Sequence, residues 1–163
     1  MTTATLHMLC GKIAAGKSTL ATKLATAPNT VLVSEDDWLD PLFGDQMTSP
    51  ADYVACAAKL RAAMGPHVAT LLNSNMSVVL DFPANTVENR NWMRGILEKT
   101  EANHELHVLT PPDEVCIARM HARNAQGDHP FAATEAQFHR FSKHFVPPEP
   151  KEGFNVIQYN NEM

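Results

Sequence analysis

Two hydrophobic rhythms alternate along this chain. Short apolar runs of the kind that form buried strands lie at Thr5 to Cys10, Thr30 to Val33, Ser77 to Leu80, Glu105 to Leu109 and Phe154 to Gln158. Between them the apolar positions recur at helical spacing. The first helix is expected from Ser18 to Ala27, ending before Pro28. The second runs from Ala51 to Asn73, opened by Ser49 as cap, Pro50 at the first position and Asp52 in the first turn. Thr86 to Thr100 and Asp113 to Asn124 follow, and Thr134 caps a fifth helix reaching Phe145.

Strands that alternate with helices imply parallel strands joined by right-handed crossovers, with helices on both faces of the sheet. A three-layer α/β/α sandwich is therefore expected. The length of 163 residues fits one domain over 1–163. Val146 to Gly153 is the loop richest in breakers and reads as a connection into the last strand.

One junction in this pattern carries a specific motif. Gly11-Lys12-Ile13-Ala14-Ala15-Gly16-Lys17-Ser18 fits G-x-x-x-x-G-K-[ST], directly after an apolar strand and directly before a helix. Glycines let the backbone curl so that successive amides point at one anion, and the helix amino terminus adds partial positive charge. Lys17 can reach the β- and γ-phosphates of a nucleotide, and the Ser18 hydroxyl can ligate Mg²⁺. The expected nucleotide-binding set is Gly11, Lys12, Ala14, Ala15, Gly16, Lys17, Ser18 and Thr19.

Acids and arginines fall where phosphoryl transfer needs them. Ser34-Glu35-Asp36-Asp37-Trp38 follows the second strand, at the sheet edge where ligands of open α/β sheets sit. A carboxylate there can take the proton of an attacking hydroxyl; Asp36 is the first choice and Asp37 the second, with helix capping the alternative job for either. Trp38 would line an acceptor pocket. Asp81, ending the third strand, stands where a P-loop protein holds Mg²⁺. Arg90 and Arg94 share a helix face that would meet either an anionic substrate or solvent. Arg119 and Arg123 repeat the spacing and lead into the polar stretch Asn124 to Pro130, so a lid at about 119–133 is expected, with Arg123 on the transferring phosphate and Arg119 over the nucleotide.

Composition narrows the partners. Hydrophobic residues make up 44% and charged residues 19%, an ordinary globular balance. The formal charge of -5 repels polyanions and weighs against nucleic acid. Cys10, Cys56 and Cys116 are widely spaced and read as reduced core residues of a cytoplasmic protein. The amino-terminal segment shows no signal-peptide pattern, and no apolar run approaches a membrane span. The eight histidines form no ligand spacing along the chain: His104 and His107 flank a strand, and His139 and His144 sit five apart.

Taken in order, GKIAAGKS, VSEDDW, VVLDF, NRNWMR, ARMHARN and VPPEPKEGF resemble the small single-domain P-loop kinases of AAA type, relatives of chloramphenicol phosphotransferase, the zeta toxins and polynucleotide 5'-hydroxyl kinase. The resemblance spans nearly the whole chain. It implies five parallel strands in order 2-3-1-4-5, Asp36 as base, and Arg119 and Arg123 as lid arginines attending the nucleotide. The chain departs from the pattern at Phe82-Pro83-Ala84, where members often carry Thr or Ser after the strand-end acid. That loop helps to shape the acceptor pocket, so no substrate is carried over. The leading expectation is an ATP- and Mg²⁺-dependent kinase of a small hydroxyl compound. A polynucleotide 5'-hydroxyl kinase and a nucleotide-binding module without small-molecule transfer are the alternatives.

Overall fold

The computed structural model describes residues 3–127 and 133–159. The five runs become strands β1 (Thr5–Cys10), β2 (Thr30–Ser34), β3 (Ser77–Pro83), β4 (Asn103–Leu109) and β5 (Val156–Tyr159). All pair in parallel, in the order β2-β3-β1-β4-β5. The helices are α1 (Lys17–Leu24), α2 (Glu35–Phe43), α3 (Pro50–Asn73), α4 (Val87–Leu97), α5 (Asp113–Gln126) and α6 (Glu135–Ser142).

Alternation within the strands divides the core in two. Leu6, Met8 and Cys10 of β1 join Val78, Leu80 and Phe82 of β3, and Leu106 and Val108 of β4, under α3 and α4. Leu9, Val79 and Leu109 face the other way and pack with Leu20 of α1, Cys116 and Met120 of α5, and Phe138 of α6. All three cysteines are buried free thiols. None of the helices is long and apolar enough to cross a membrane among the described residues.

The expected caps are made. The Ser49 side chain accepts from the Asp52 amide, and Thr134 with Gln137 forms a reciprocal capping box on α6. Thr86 likewise caps α4 by accepting from the Asn89 amide. One helix departs from the expectation: α2 begins at the Glu35-Asp36-Asp37 cluster, where the apolar spacing predicts no helix, and it accommodates Pro41. Of the expected lid at about 119–133, residues 128–132 lie outside the described residues.

Parallel pairing gathers the carboxyl ends of the strands on one edge. Gly11, Ser34 and Asp81 therefore open onto the same side, with the P-loop leaving the central strand β1.

Candidate functional site

The P-loop turn is built from backbone constraints that the sequence meets. A Cβ at Gly11 would stand 3.0 Å from the Leu109 carbonyl oxygen, so any side chain here would push the loop from β4 by a few tenths of an ångström. Gly16 has φ 105°, in the region that favours glycine, and Ala14 takes a left-handed φ of 60°. No side chain caps the amino terminus of α1, leaving its amides directed into the loop. The Lys17 ammonium donates to the Gly11 carbonyl and, at 3.0 Å, to the Lys12 carbonyl. Burial lowers its pKa, and the nearby Asp81 carboxylate opposes that shift.

Asn85 holds this loop, and nothing in its local sequence marks it for that role. The Gly11 amide donates to Asn85 Oδ1 at 2.8 Å, and Asn85 Nδ2 donates back to the Gly11 carbonyl at 2.9 Å. An amide side chain just after β3 thus clamps the first P-loop residue. On the other flank, Lys12 pairs with Asp113 at 3.0 Å. Arg119 Nη1 donates to the Ala15 carbonyl at 3.4 Å, which lays α5 against the phosphate loop. Beside Lys12 and Ala15 a cavity of about 270 Å³ opens, walled by Leu109, Pro111, Phe145 and Pro147.

The acids converge on the same edge. Burial raises the Asp81 carboxyl pKa, Lys17 opposes this, the negative charges of Asp36 and Asp37 add to it, and a hydrogen bond with Ser18 lowers it. Ser18 and Asp81 therefore present adjacent oxygens, which suit a hard cation such as Mg²⁺. Asp36 and Asp37 occupy the first turn of α2, where the helix dipole favours negative charge, rather than its cap, which is Ser34. Half-buried Arg123 has a pKa lowered by desolvation and supported by Asp36, which puts the two in mutual range. Exposed Trp38 and Leu42 on α2 and Tyr53 and Val54 on α3 give the flank beside these acids an apolar surface.

Two expected substrate contacts lie elsewhere. Arg90 is fully buried and donates to both Glu152 carboxylate oxygens, at 2.7 and 3.3 Å, and to the carbonyls of Ala84 and Val146. Arg94 donates to the Glu152 carbonyl and stacks over the Phe154 ring, 4.1 Å from its centroid. Both arginines are engaged in fastening the segment before β5, so their shared face meets protein rather than substrate or solvent.

Glu35, which the sequence pattern does not distinguish from its neighbours, is the unusual acid of the cluster. It is only 4% exposed, Oε1 accepts from the Tyr53 hydroxyl at 2.6 Å, and Oε2 has no hydrogen-bond partner. Burial pushes its pKa up to about 7, helped by the charges of Asp36 and Asp81, while the Tyr53 bond pulls the other way. Between the ordinary carboxyl value and 7 the folded state holds a proton that the unfolded chain has released, so stability falls as pH rises through that window. Glu35→Gln keeps the acceptor for Tyr53 and removes the charge. The variant is expected to be more stable than the natural protein by about 1–3 kcal/mol at pH 8, with the gap narrowing to less than about 1 kcal/mol by pH 5. Urea unfolding at the two pH values measures it; equal gaps at both would refute the buried-charge account.

The comparisons with known proteins agree with this fold. Among curated proteins none matches the sequence. A structure from Chloroflexus aurantiacus j-10-fl, provisionally named a kinase, superposes with a TM-score of 0.76 at 24% identity, over 98% of this chain and 86% of that one. Chaetomium thermophilum Kti12 in complex with ADP-AlF3 gives 0.72 at 13% identity, over 95% and 88%. The Mycobacterium tuberculosis APS kinase CysC in complex with AMPPNP and APS gives 0.65 at 15%, over 100% and 91%. Residues 6–148 match the family model described as AAA domain, AAA_33. The chain, whose five-stranded sheet runs in the 2-3-1-4-5 order, thus belongs to this AAA domain family and has the fold of the P-loop kinases.

Proposed function

We propose that the protein transfers the γ-phosphate of ATP to a hydroxyl group of a small molecule. The observation that carries this reading is the convergence of Lys17, Ser18, Asp81, Asp36 and Arg123 on one end of the sheet, a proton acceptor among cations. A module that only held nucleotide would need the loop and its cation site, not a carboxylate and an arginine opposite them.

The P-loop from Gly11 to Thr19 holds the phosphates of the donor, with the uncapped amides at the start of α1 and the Lys17 ammonium as its donors, and Arg119 lies along the nucleotide side of the loop. Ser18 and Asp81 would hold Mg²⁺, which supplies charge neutralisation between the β- and γ-phosphates. Asp36 orients the acceptor hydroxyl and takes its proton as the oxygen attacks in line. Arg123 faces the charge that spreads over the transferring group. Asp37 and Trp38 border the acceptor, with the exposed apolar residues of α2 and α3 suited to the carbon skeleton of a small molecule. In this reading the whole chain acts as one kinase domain, and α5 brings Arg119 and Arg123 over the donor.

The test is ADP release from Mg-ATP across a panel of hydroxyl-bearing sugars, nucleosides, amino alcohols and antibiotics, with Lys17→Ala as background. A member of the panel that raises turnover well above that background identifies the acceptor class. Should nucleotide bind through Lys17 while no small molecule accelerates release and 5'-hydroxyl oligonucleotides do, the small-molecule reading fails.

A further inference from the structure

Three side chains that the phosphate site does not use meet on β1 and β4. His7 pairs with Glu105 in the strand register, and His107 lies two residues further along the same face. His7 Nδ1 stands 3.1 Å from His107 Nε2 and 3.1 Å from Glu105 Oε1, while His107 Nε2 and Glu105 Oε1 are 3.4 Å apart. We infer that His7, Glu105 and His107 form a three-ligand site for a divalent transition metal ion, with Zn²⁺ the ion whose chemistry it matches, clipping β1 to β4.

The triangle has the dimensions that such an ion requires. Ligands about 2.0–2.1 Å from a tetrahedral ion sit roughly 3.3 Å from one another, within a few tenths of an ångström of all three separations. Two imidazoles and one carboxylate are borderline ligands that suit zinc and its first-row neighbours and not Mg²⁺. Of the three, Glu105 is the most open, its side chain 35% exposed, so an ion has an entry path and a fourth position for water.

The surroundings orient the ligands as a metal site demands. His107 is buried, and its far nitrogen, Nδ1, lies 2.8 Å from the Tyr159 hydroxyl of β5, a partner outside the ligand set that fixes the ring and leaves Nε2 aimed at the triangle. The three ligands belong to β1 and β4, whereas Ser18 stands in α1 and Asp81 in β3, so the two sets share no residue and no strand.

The same contacts would arise if the triad merely shared a proton, and metal titration separates the two. Untagged, chelator-washed protein in excess Mg²⁺ is titrated with CoCl₂ and then with ZnCl₂. One cobalt per chain is expected, with visible d–d bands, no thiolate charge-transfer band, and displacement by one equivalent of zinc. Tyr159→Phe is expected to weaken zinc binding by ~10-fold, as loss of an outer partner does, and Glu105→Ala by more than ~100-fold. At zinc about a hundredfold above Kd, the natural protein should gain ~5 °C or more in Tm and Glu105→Ala should gain nothing. Absence of a cobalt spectrum in the natural protein overturns the inference. So does binding that survives Glu105→Ala, or that is lost only in Asp81→Asn.

Discussion

Asp36→Asn is expected to lower acceptor-dependent turnover by ~10²–10⁴-fold while leaving nucleotide affinity within a few-fold of the natural value. Asparagine matches the shape and keeps an acceptor oxygen, so the first turn of α2 and its contact with the Arg123 region survive. What it cannot do is take the proton from the attacking hydroxyl. The loss corresponds to about 3–5 kcal/mol of transition-state stabilisation, and it should fall on kcat rather than on the KM for ATP. Asp37→Asn, exposed on the next position of the same turn, serves as the comparison. If the two variants fall equally, or if Asp36→Asn loses less than about tenfold, the proton acceptor is another group. Glu35 would then be the leading candidate, because a carboxyl with a pKa of about 7 can still accept a proton at neutral pH.

Features fixed by neighbours along the chain are legible in the sequence; features fixed by distant partners are not. The P-loop is a local device: its glycines, lysine and serine lie within eight residues and do their work through backbone geometry. The strands and capped helices are local in the same sense, which is why Ser49 and Thr134 stand where caps are expected. α2 escapes such a reading because three acids followed by a tryptophan and Pro41 look like a loop, although acids are at home in a helix's first turn. The arginine pair of α4 does share a face, as its spacing requires, yet the partner of Arg90 is Glu152, 62 residues away. Spacing along one helix cannot say what faces it. Asn85 reaches back 74 residues to Gly11, and His7 meets His107 across 100 residues through strand pairing. A ligand pattern sought along the chain misses a site assembled across a sheet.

The Arg90–Glu152 pair also sets up the largest expected change in stability, and it is asymmetric. Glu152→Ala strands a guanidinium whose side chain is 0% exposed, and its cost should reach about 3–5 kcal/mol, the range found when one partner of a buried pair is removed. Arg90→Met fills a similar volume with an apolar chain. There the surviving carboxylate, at 15% side-chain exposure, can turn toward water, and the loss narrows to the carbonyls of Ala84 and Val146 left without a donor, about 1 kcal/mol each, the low end for an unmet acceptor. Glu152→Ala should therefore destabilise more than Arg90→Met, and the double variant should fall below Arg90→Met only by the bond that Glu152 Oε2 accepts from the Glu149 amide, about 1 kcal/mol. Urea midpoints of the four proteins measure this directly. The effect should also reach the phosphate site: Ala84 adjoins Asn85, whose side chain clamps Gly11 and whose carbonyl accepts from the Val146 amide. Loosening Arg90 frees both ends of that clamp, so weaker ATP binding should accompany the lower midpoint even though Arg90 touches no nucleotide. A Glu152→Ala protein of unchanged stability would mean that the arginine finds other acceptors, and that the segment before β5 holds its place without this pair.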